Sequence, residues 1–335
     1  MEIEGGEARV SEKISLDKAA IQIASVRLSG YFLSEGRLPA FRGATLRGGL
    51  GFHLRRTVCN NLKRSCQDCF LAEECAYSNF FDGILPKDRN FMKLYDNVPQ
   101  PYLLVLPLEE PENIHKEDPL CFTMKIFGKA SELFPYVAYS FIQMGEKGLG
   151  KDKIPFEISR IEQPGGEVLY EKSVNRIMKP KPQIAAYDIM PIDCNDPLEI
   201  RFFTPVRIRK NGQTLKTIRF EDLIEAALRR ITIMNYFYGT GQIVDNEKIK
   251  AMIEHAKSVE KVNDATEYYS FRRYSGRQER TIELDGLTGT AVFKKVTPEL
   301  AGILKFAQTI GLGKSTSFGF GNIEIKAERE GGMNG

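Results

Sequence analysis

The chain carries one local pattern twice, and this repetition limits the folds that it can adopt. Gly-Leu-Gly-Lys occurs at residues 148–151 and again at 311–314, each time after an amphipathic helix and before a strand. The apolar stripes of the two helices are Leu133, Val137, Phe141 and Met144 in the first copy and Leu300, Leu304, Ala307 and Ile310 in the second. A repeated unit of helix, glycine loop and strand predicts two similar domains in tandem.

Length and composition agree with a two-domain globular protein. The chain has 335 residues, of which 42% are hydrophobic and 27% are charged. No apolar run approaches the length that spans a membrane, and residues 1–18 are too polar for a signal peptide. We therefore expect a cytoplasmic protein without a membrane partner.

Residues 21–158 predict the order strand, helix, two strands, helix, strand. The predicted elements are a strand at 21–33, a helix at 42–58, strands at 102–106 and 122–127, the first repeat helix, and a strand at 154–158. This order is that of a ferredoxin-like domain.

The same order returns after a proline-rich segment. A strand is predicted at 200–208, a helix at 220–238, and paired strands at 281–284 and 287–293, joined by the hairpin dipeptide Asp285-Gly286. The predicted fold class is α+β with two tandem ferredoxin-like (RRM-like) domains. The boundaries are 18–166 for the first domain with a cysteine-rich insertion at 59–75, 167–197 for the linker, and 198–327 for the second domain with a glycine-rich loop at 311–321.

Basic residues are concentrated in three segments, although the net charge is only +3. Residues 36–67 and 200–220 contain many arginines and lysines but no acidic residue, and the arginines of 268–280 alternate with aromatic residues. One such run is usually a solvated face, but three of them favour a polyanion such as RNA. The arginines that we expect to bind RNA are Arg42, Arg55, Arg207, Arg209, Arg272, Arg273 and Arg277.

The second glycine loop is a candidate cradle for a nucleic-acid backbone. Glycines reach positive φ easily, and successive exposed N–H groups form an anion-binding nest. The candidate residues are Gly311, Gly313, Lys314, Ser315, Thr316, Gly319 and Gly321. A nucleotide-binding P-loop is excluded, because it requires glycine where Gln308 stands and a helix after the loop rather than before it.

This loop, on a tandem ferredoxin-like body, resembles the signature of the RAMP superfamily of CRISPR-associated proteins. Phe-Arg-Gly-Ala-Thr-Leu-Arg-Gly-Gly-Leu-Gly at 41–51 and Arg-Tyr-Ser-Gly-Arg-Gln at 273–278 resemble its precursor-CRISPR-RNA processing endoribonuclease branch. The resemblance spans about residues 20–327. It implies CRISPR repeat RNA in precursor guide transcripts as the substrate, and other CRISPR effector subunits as further partners. The alternative is a non-catalytic RNA-binding subunit of an effector complex, because one fold hosts several activities.

The resemblance implies RNA cleavage by 2′-hydroxyl attack, which needs an acid and a base but no catalytic metal. His53 is the candidate proton shuttle, since it lies in a basic segment on the predicted helix. Arg47 and Arg56 of the same basic segment are further catalytic candidates. Tyr31 is a candidate for orienting or activating the 2′-hydroxyl, although a core tyrosine is the favoured interpretation of this residue. In the family pattern a histidine tends to stand at the position of Phe52, one residue earlier.

Four cysteines lie close together in the first predicted domain. Cys59, Cys66, Cys69 and Cys75 are spaced C-x6-C-x2-C-x5-C. Four thiolates can hold a structural zinc ion, and the spacing also allows an iron–sulfur cluster. Disulfides are the weaker alternative in a cytoplasmic protein. Because four thiolates leave no open position for substrate, a metalloenzyme that uses this site is the weakest function.

Overall fold

The computed structural model of the protein describes residues 13–83, 98–193, 197–275 and 280–327. Its strands are β1 (Lys13–Ile14), β2 (Ala20–Phe32), β3 (Gly36–Arg37), β4 (Tyr102–Val105), β5 (Asn113–Ile114), β6 (Pro119–Phe127), β7 (Phe156–Glu162), β8 (Val168–Glu171), β9 (Gln183–Ala186), β10 (Leu198–Val206), β11 (Arg209–Lys210), β12 (Gln213–Thr214), β13 (Ile243–Val244), β14 (Glu260–Ser275), β15 (Arg280–Lys294) and β16 (Ile323–Ala327). Its α-helices are α1 (Gly43–Val58), α2 (Phe134–Lys147), α3 (Phe220–Tyr238), α4 (Asn246–Ala256) and α5 (Pro298–Ile310). Within these residues, no helix combines the length and the apolar character that a membrane span requires.

The first half of the chain, residues 13–193, forms a six-stranded sheet. Its strand order is β4-β6-β2-β7-β8, and β9 pairs with the start of β2. Alternate residues of β2, such as Val26 and Leu28, point to one face and are buried there. Leu46 and Leu50 of α1 and Phe141 of α2 belong to the same core, so both helices cover that face.

The second half, residues 197–327, forms a four-stranded sheet with the order β14-β15-β10-β16. Helices α3 and α5 pack against each other, and their apolar residues share a core with β10, β15 and β16. In the first sheet, β2 lies between β6 and β7, and β4 lies on the other side of β6. The second sheet has the same arrangement, with β10 between β15 and β16 and with β14 on the other side of β15. The predicted α+β class is therefore confirmed as a mixed α/β fold, and the tandem ferredoxin-like domains stay a prediction.

The predicted hairpin at Asp285-Gly286 is wrong, because both residues lie inside the continuous strand β15. The partner of β15 is β14, with Tyr268 opposite Leu287 and Tyr269 opposite Gly286. A Cβ on Gly286 would lie 2.9 Å from the backbone of Val206, where the pairing of β10 with β15 shifts register. The glycine therefore permits close approach of two strands rather than a turn.

The segment predicted as a linker, 167–197, supplies strands to the first sheet. Strand β8 pairs with β7, and β9 pairs with β2. The hydroxyl of Tyr187 donates a hydrogen bond to the carbonyl of Glu299 at 3.2 Å, which ties the segment to α5 as well. The connection is thus packed against both halves.

The two halves exchange residues between their hydrophobic cores. Ile21, Leu103 and Phe127 of the first half belong to the core that α3 and α5 build. In return, Leu284 and Phe320 of the second half belong to the core beneath the first sheet. The junction between the halves is therefore continuous apolar packing, and it supports the loops at its rim.

Candidate nucleic-acid interface and active site

The second glycine loop is held closely against the protein's own backbone. The φ angles of Gly311, Gly313, Gly319 and Gly321 lie between +75° and +91°. A Cβ on Gly313 would lie 2.6 Å from the carbonyl oxygen of Arg207, to which the N–H of Lys314 donates a 2.9 Å hydrogen bond. These glycines are required by the packing of the loop itself, and their close approach to a phosphate stays a prediction.

A cleft of about 410 Å³ opens between this loop, the residues that follow β10, and α3. Arg207, Arg209, Arg229 and Lys314 all line it. Burial lowers the pKa of Lys314, and the charges of Arg229, Arg209 and Arg207 lower it further. Like charges held this close produce a positive potential that attracts anions.

Acidic residues compensate part of the charge in this cleft. Asp285 Oδ1 lies 3.0 Å from Nε of Arg207, and Glu225 Oε2 lies 2.9 Å from Nζ of Lys210. Lys210 also pairs with Asp222, whose pKa is lowered by this contact and by its other hydrogen bonds despite burial. These carboxylates therefore offset part of the positive charge that the arginines and lysines bring to the cleft.

A buried arginine forms the inner wall of the cleft. Arg230 is 7% exposed, and its Nη2 donates to the carbonyl of Ile310 at 3.2 Å and to Oγ1 of Thr316 at 3.0 Å. Its Nε is buried without a hydrogen-bond partner, and burial lowers its pKa to about 10. Among the ion pairs of the described residues, none joins Arg230 to a carboxylate.

Two arginines from different halves face one aromatic ring at the edge of the cleft. The guanidinium carbons of Arg47 and Arg273 lie 4.3 Å and 4.6 Å from the ring centroid of Phe318. Arg47 also lies 4.5 Å from the ring centroid of Phe81, and its Nε donates to Oγ of Ser317 at 3.3 Å. Arg47 therefore fastens the glycine loop to the first half.

His53 lies in a separate groove, between α1, α2 and the first glycine loop. Arg56, Lys147 and Lys153 line the same groove. His53 is 8% exposed, and burial lowers its pKa, assisted by the charges of Arg56 and Lys147. Its imidazole is therefore neutral at pH 7 and can accept a proton.

Phe52, the neighbour of His53, occupies the outer surface of α1. Its side chain is 57% exposed, and its ring centroid lies 5.1 Å from that of His53. The guanidinium carbon of Arg56 lies 5.0 Å from the Phe52 ring. One residue corresponds to about 100° around a helix, which explains why Phe52 and His53 differ so strongly in exposure.

The four catalytic candidates are not brought together. His53 and Arg56 share the groove, whereas Arg47 lines the cationic cleft. Tyr31 donates a hydrogen bond to Oε1 of Glu157 at 2.9 Å, and this bond raises the pKa of the tyrosine. Tyr31 is not among the residues that line the groove or the cleft.

Two predicted RNA-binding arginines make hydrogen bonds within the protein, and their contact with RNA stays a prediction. Arg42 is buried, with Nη1 3.1 Å from Oε1 of Glu110 and Nη2 2.8 Å from the carbonyl of Pro111. Arg55 Nη2 donates to the carbonyls of Leu62 at 3.1 Å and Arg64 at 2.7 Å. The sequence could not reveal this, since the partners of Arg42 lie about 70 residues away along the chain.

The remaining predicted arginines lie on the strand β14 or beyond it. Arg272 is exposed on β14, and Arg273 is half-buried against Phe318. Arg277 lies outside the described residues. The sequence prediction missed Arg229 and Arg230, because charged residues on a helix are usually solvated and their positions next to the glycine loop depend on the fold.

The four cysteines line a single cavity on the first half. Burial raises the pKa of the Cys66 thiol to about 11, and the nearby charges of Asp82 and Cys75 add to the increase. Within the described residues, no three potential ligands are grouped closely enough to hold a metal ion. The free thiols suit zinc chemically, but they are not gathered around one point, so the metal centre stays a prediction.

The described residues combine a mixed α/β body with a cationic cleft beside a glycine-rich loop. Residues 200–323 match the family model of the CRISPR-associated endoribonuclease Cas6, and residues 21–183 match a model described as an N-terminal domain. Residues 200–323 thus resemble a Cas6 domain, and the predicted resemblance to CRISPR-associated RAMP proteins is confirmed.

Similar proteins cover almost the whole chain. An uncharacterized protein of Archaeoglobus fulgidus is 23% identical in an alignment over 316 residues, which covers 92% of this chain and 99% of the relative. A Cas6 product complex superposes with a TM-score of 0.53 at 13% identity, over 91% of this chain and 100% of the other. Cas6 of Thermus thermophilus gives 0.52 at 12% identity, over 91% and 99%. A partial Cas6-RT-Cas1–Cas2 complex gives 0.57 at 11% identity, over 94% and 48%. At these identities the solved structures establish the fold.

Proposed function

We propose that the protein is an endoribonuclease that cuts CRISPR repeat RNA in precursor transcripts and so releases guide RNA. The observation that carries this proposal is the groove in which His53 lies beside Arg56, Lys147 and Lys153. A neutral imidazole surrounded by cations suits the cleavage of a phosphodiester. The Cas6 family match over residues 200–323 supports the same activity.

The proposed reaction uses the side chains of this groove and no metal. His53 accepts the proton of the 2′-hydroxyl, and the 2′-oxygen attacks the adjacent phosphorus. Arg56 and Lys153 stabilise the charge of the phosphorane, and Lys147 donates a proton to the departing 5′-oxygen. The products are a 5′-hydroxyl and a 2′,3′-cyclic phosphate, or a 3′-phosphate after hydrolysis.

The proposal also assigns roles to the two halves. Each half has the strand and helix order of a ferredoxin-like unit, which supports tandem domains with RNA bound along their basic surfaces. The cysteine segment 59–75 is proposed as an insertion stabilised by zinc or by an iron–sulfur cluster. Other CRISPR effector subunits are proposed as partners, in keeping with the Cas6-RT-Cas1–Cas2 complex among the similar structures.

One observation favours the alternative, a non-catalytic RNA-binding subunit. Two of the four catalytic candidates, Tyr31 and Arg47, are engaged in contacts within the protein, and His53 is largely buried. Such a protein would hold repeat RNA in the cationic cleft without cutting it.

Incubation with repeat RNA in excess chelator separates the two functions. Cleavage that leaves 5′-hydroxyl ends supports the endoribonuclease, and intact RNA with tight binding supports the alternative. His53→Ala is expected to lower the single-turnover rate about a hundredfold or more with little change in affinity. His255→Ala is the matched control, because His255 is exposed on α4.

A further inference from the structure

The cationic cleft is lined by side chains of different chemistry. Its lining includes the cationic side chains Arg209, Arg229 and Lys314, and it also includes several apolar side chains. The apolar lining residues are Val98, Pro99, Ala226, Ile233 and Phe318. A free inorganic anion gains nothing from apolar side chains, whereas a nucleotide carries both a phosphate and a flat base that can contact them.

The size of the cleft agrees with a single nucleotide. Its volume of about 410 Å³ falls within the roughly 300–1,000 Å³ typical of small-molecule sites. A base that is stacked and paired within a duplex cannot enter such a space, so the occupant must be unpaired or turned out of the helix.

Arg230 adds a buried polar side chain to the lining of the cleft. Arg230 is more than nine-tenths buried, lines the cleft, and keeps one N–H without a partner. This N–H has almost no accessible surface, so Arg230 contributes its positive charge to the cleft rather than this donor. Thr316 Oγ1, held by the same guanidinium, adds a hydroxyl to the lining.

We infer that this cleft receives one unpaired nucleotide of the RNA. Its phosphate would contact Arg209, Arg229 and Lys314, and its base would contact the apolar side chains that line the cleft. The identity of the ligand as RNA rests on the proposed function. The cleft and the His53 groove share no lining residue. The nucleotide held here is therefore not the one that is cut, and it sets the register of the RNA relative to the cut site.

The test begins with ligands that contain one nucleotide. AMP, CMP, GMP, UMP and inorganic phosphate are titrated separately into the full chain by calorimetry at low salt. At least one nucleotide is expected to bind ten or more times more tightly than inorganic phosphate. Equal affinity for phosphate and all four nucleotides, or no nucleotide binding at 10 mM, would overturn the inference.

A larger side chain among the apolar lining residues tests whether the base occupies this cleft. Ala226→Phe on α3 is expected to weaken nucleotide binding at least tenfold and to leave the thermal unfolding midpoint unchanged, since Ala226 is only half-buried. Ala251→Phe on the exposed face of α4 is the matched control. If Ala226→Phe binds nucleotides as the wild type does, the base does not occupy this cleft.

Nucleotide binding and RNA cleavage, both measured on the wild-type protein, distinguish this inference from the proposed activity. Nucleotide binding without cleavage of repeat RNA would refute the endoribonuclease and leave the nucleotide site in place. Cleavage by a protein that binds no nucleotide would do the reverse. With both intact, Ala226→Phe is expected to shift or broaden the positions of cleavage, which product sequencing measures.

Discussion

Substitution of Gly313 by alanine tests how the second glycine loop is built. Gly313 has φ +80°, and an added Cβ would lie 2.6 Å from the carbonyl oxygen of Arg207. The left-handed backbone costs a non-glycine residue about 1–2 kcal/mol, and relief of such a contact costs about 1–3 kcal/mol more. Gly313→Ala should therefore lower the free energy of unfolding by about 2–5 kcal/mol.

Gly212 provides the matched control. It also has φ +80°, but nothing lies within 4 Å of the Cβ that alanine would add. Gly212→Ala should therefore cost only the backbone contribution, about 1–2 kcal/mol. Urea denaturation of both variants measures the difference. Equal destabilisation would show that the loop does not press against Arg207, and the packing argument would then fail.

Three further predictions concern the proposed sites. Because burial and nearby cations lower the pKa of His53, the cleavage rate should fall at acidic pH with a midpoint below the ordinary histidine value of about 6.5; a midpoint above 6.5 in the acidic limb of the pH–rate profile would contradict its role as base. Lys314→Ala should weaken RNA binding for every sequence and flatten the log–log salt dependence by about 0.7–1 unit. The control Lys250→Ala, on an exposed face of α4, should change neither, and an unchanged slope in Lys314→Ala would exclude a phosphate contact. Changing Cys66 and Cys69 to serine should remove bound metal and lower the thermal midpoint before it affects cleavage; elemental analysis showing no zinc or iron in anaerobically purified protein would reject the site.

Local sequence patterns predicted most of the elements. The helix predicted at 220–238 coincides with α3, and the one at 42–58 differs from α1 by one residue. These successes follow from long, strongly periodic apolar stripes. Asp285-Gly286 misled the prediction because the same dipeptide serves a turn or a tight crossing, and only the partner strand decides between them.

The candidate site was harder to predict, because the role of a charge depends on its partners in space. Arg42 and Arg55 belong to the same basic segment as His53. However, Arg42 forms an ion pair with distant Glu110, and Arg55 donates hydrogen bonds to backbone carbonyls of the cysteine segment. Conversely, Arg230 lies on a helix and becomes part of the cleft only because α3 runs beside the glycine loop. Composition reveals the number of cations, and tertiary structure decides which of them face solvent.

The exchange of core residues between the halves has a consequence for folding. Phe271 of β14 packs 5.4 Å from Phe41 between ring centroids, and Leu284 and Phe320 complete the core beneath the first sheet. A chain ending at residue 193 would expose that apolar surface to water and lose its contribution to stability. Neither half has a complete interior without the other. The protein should therefore unfold in a single cooperative transition.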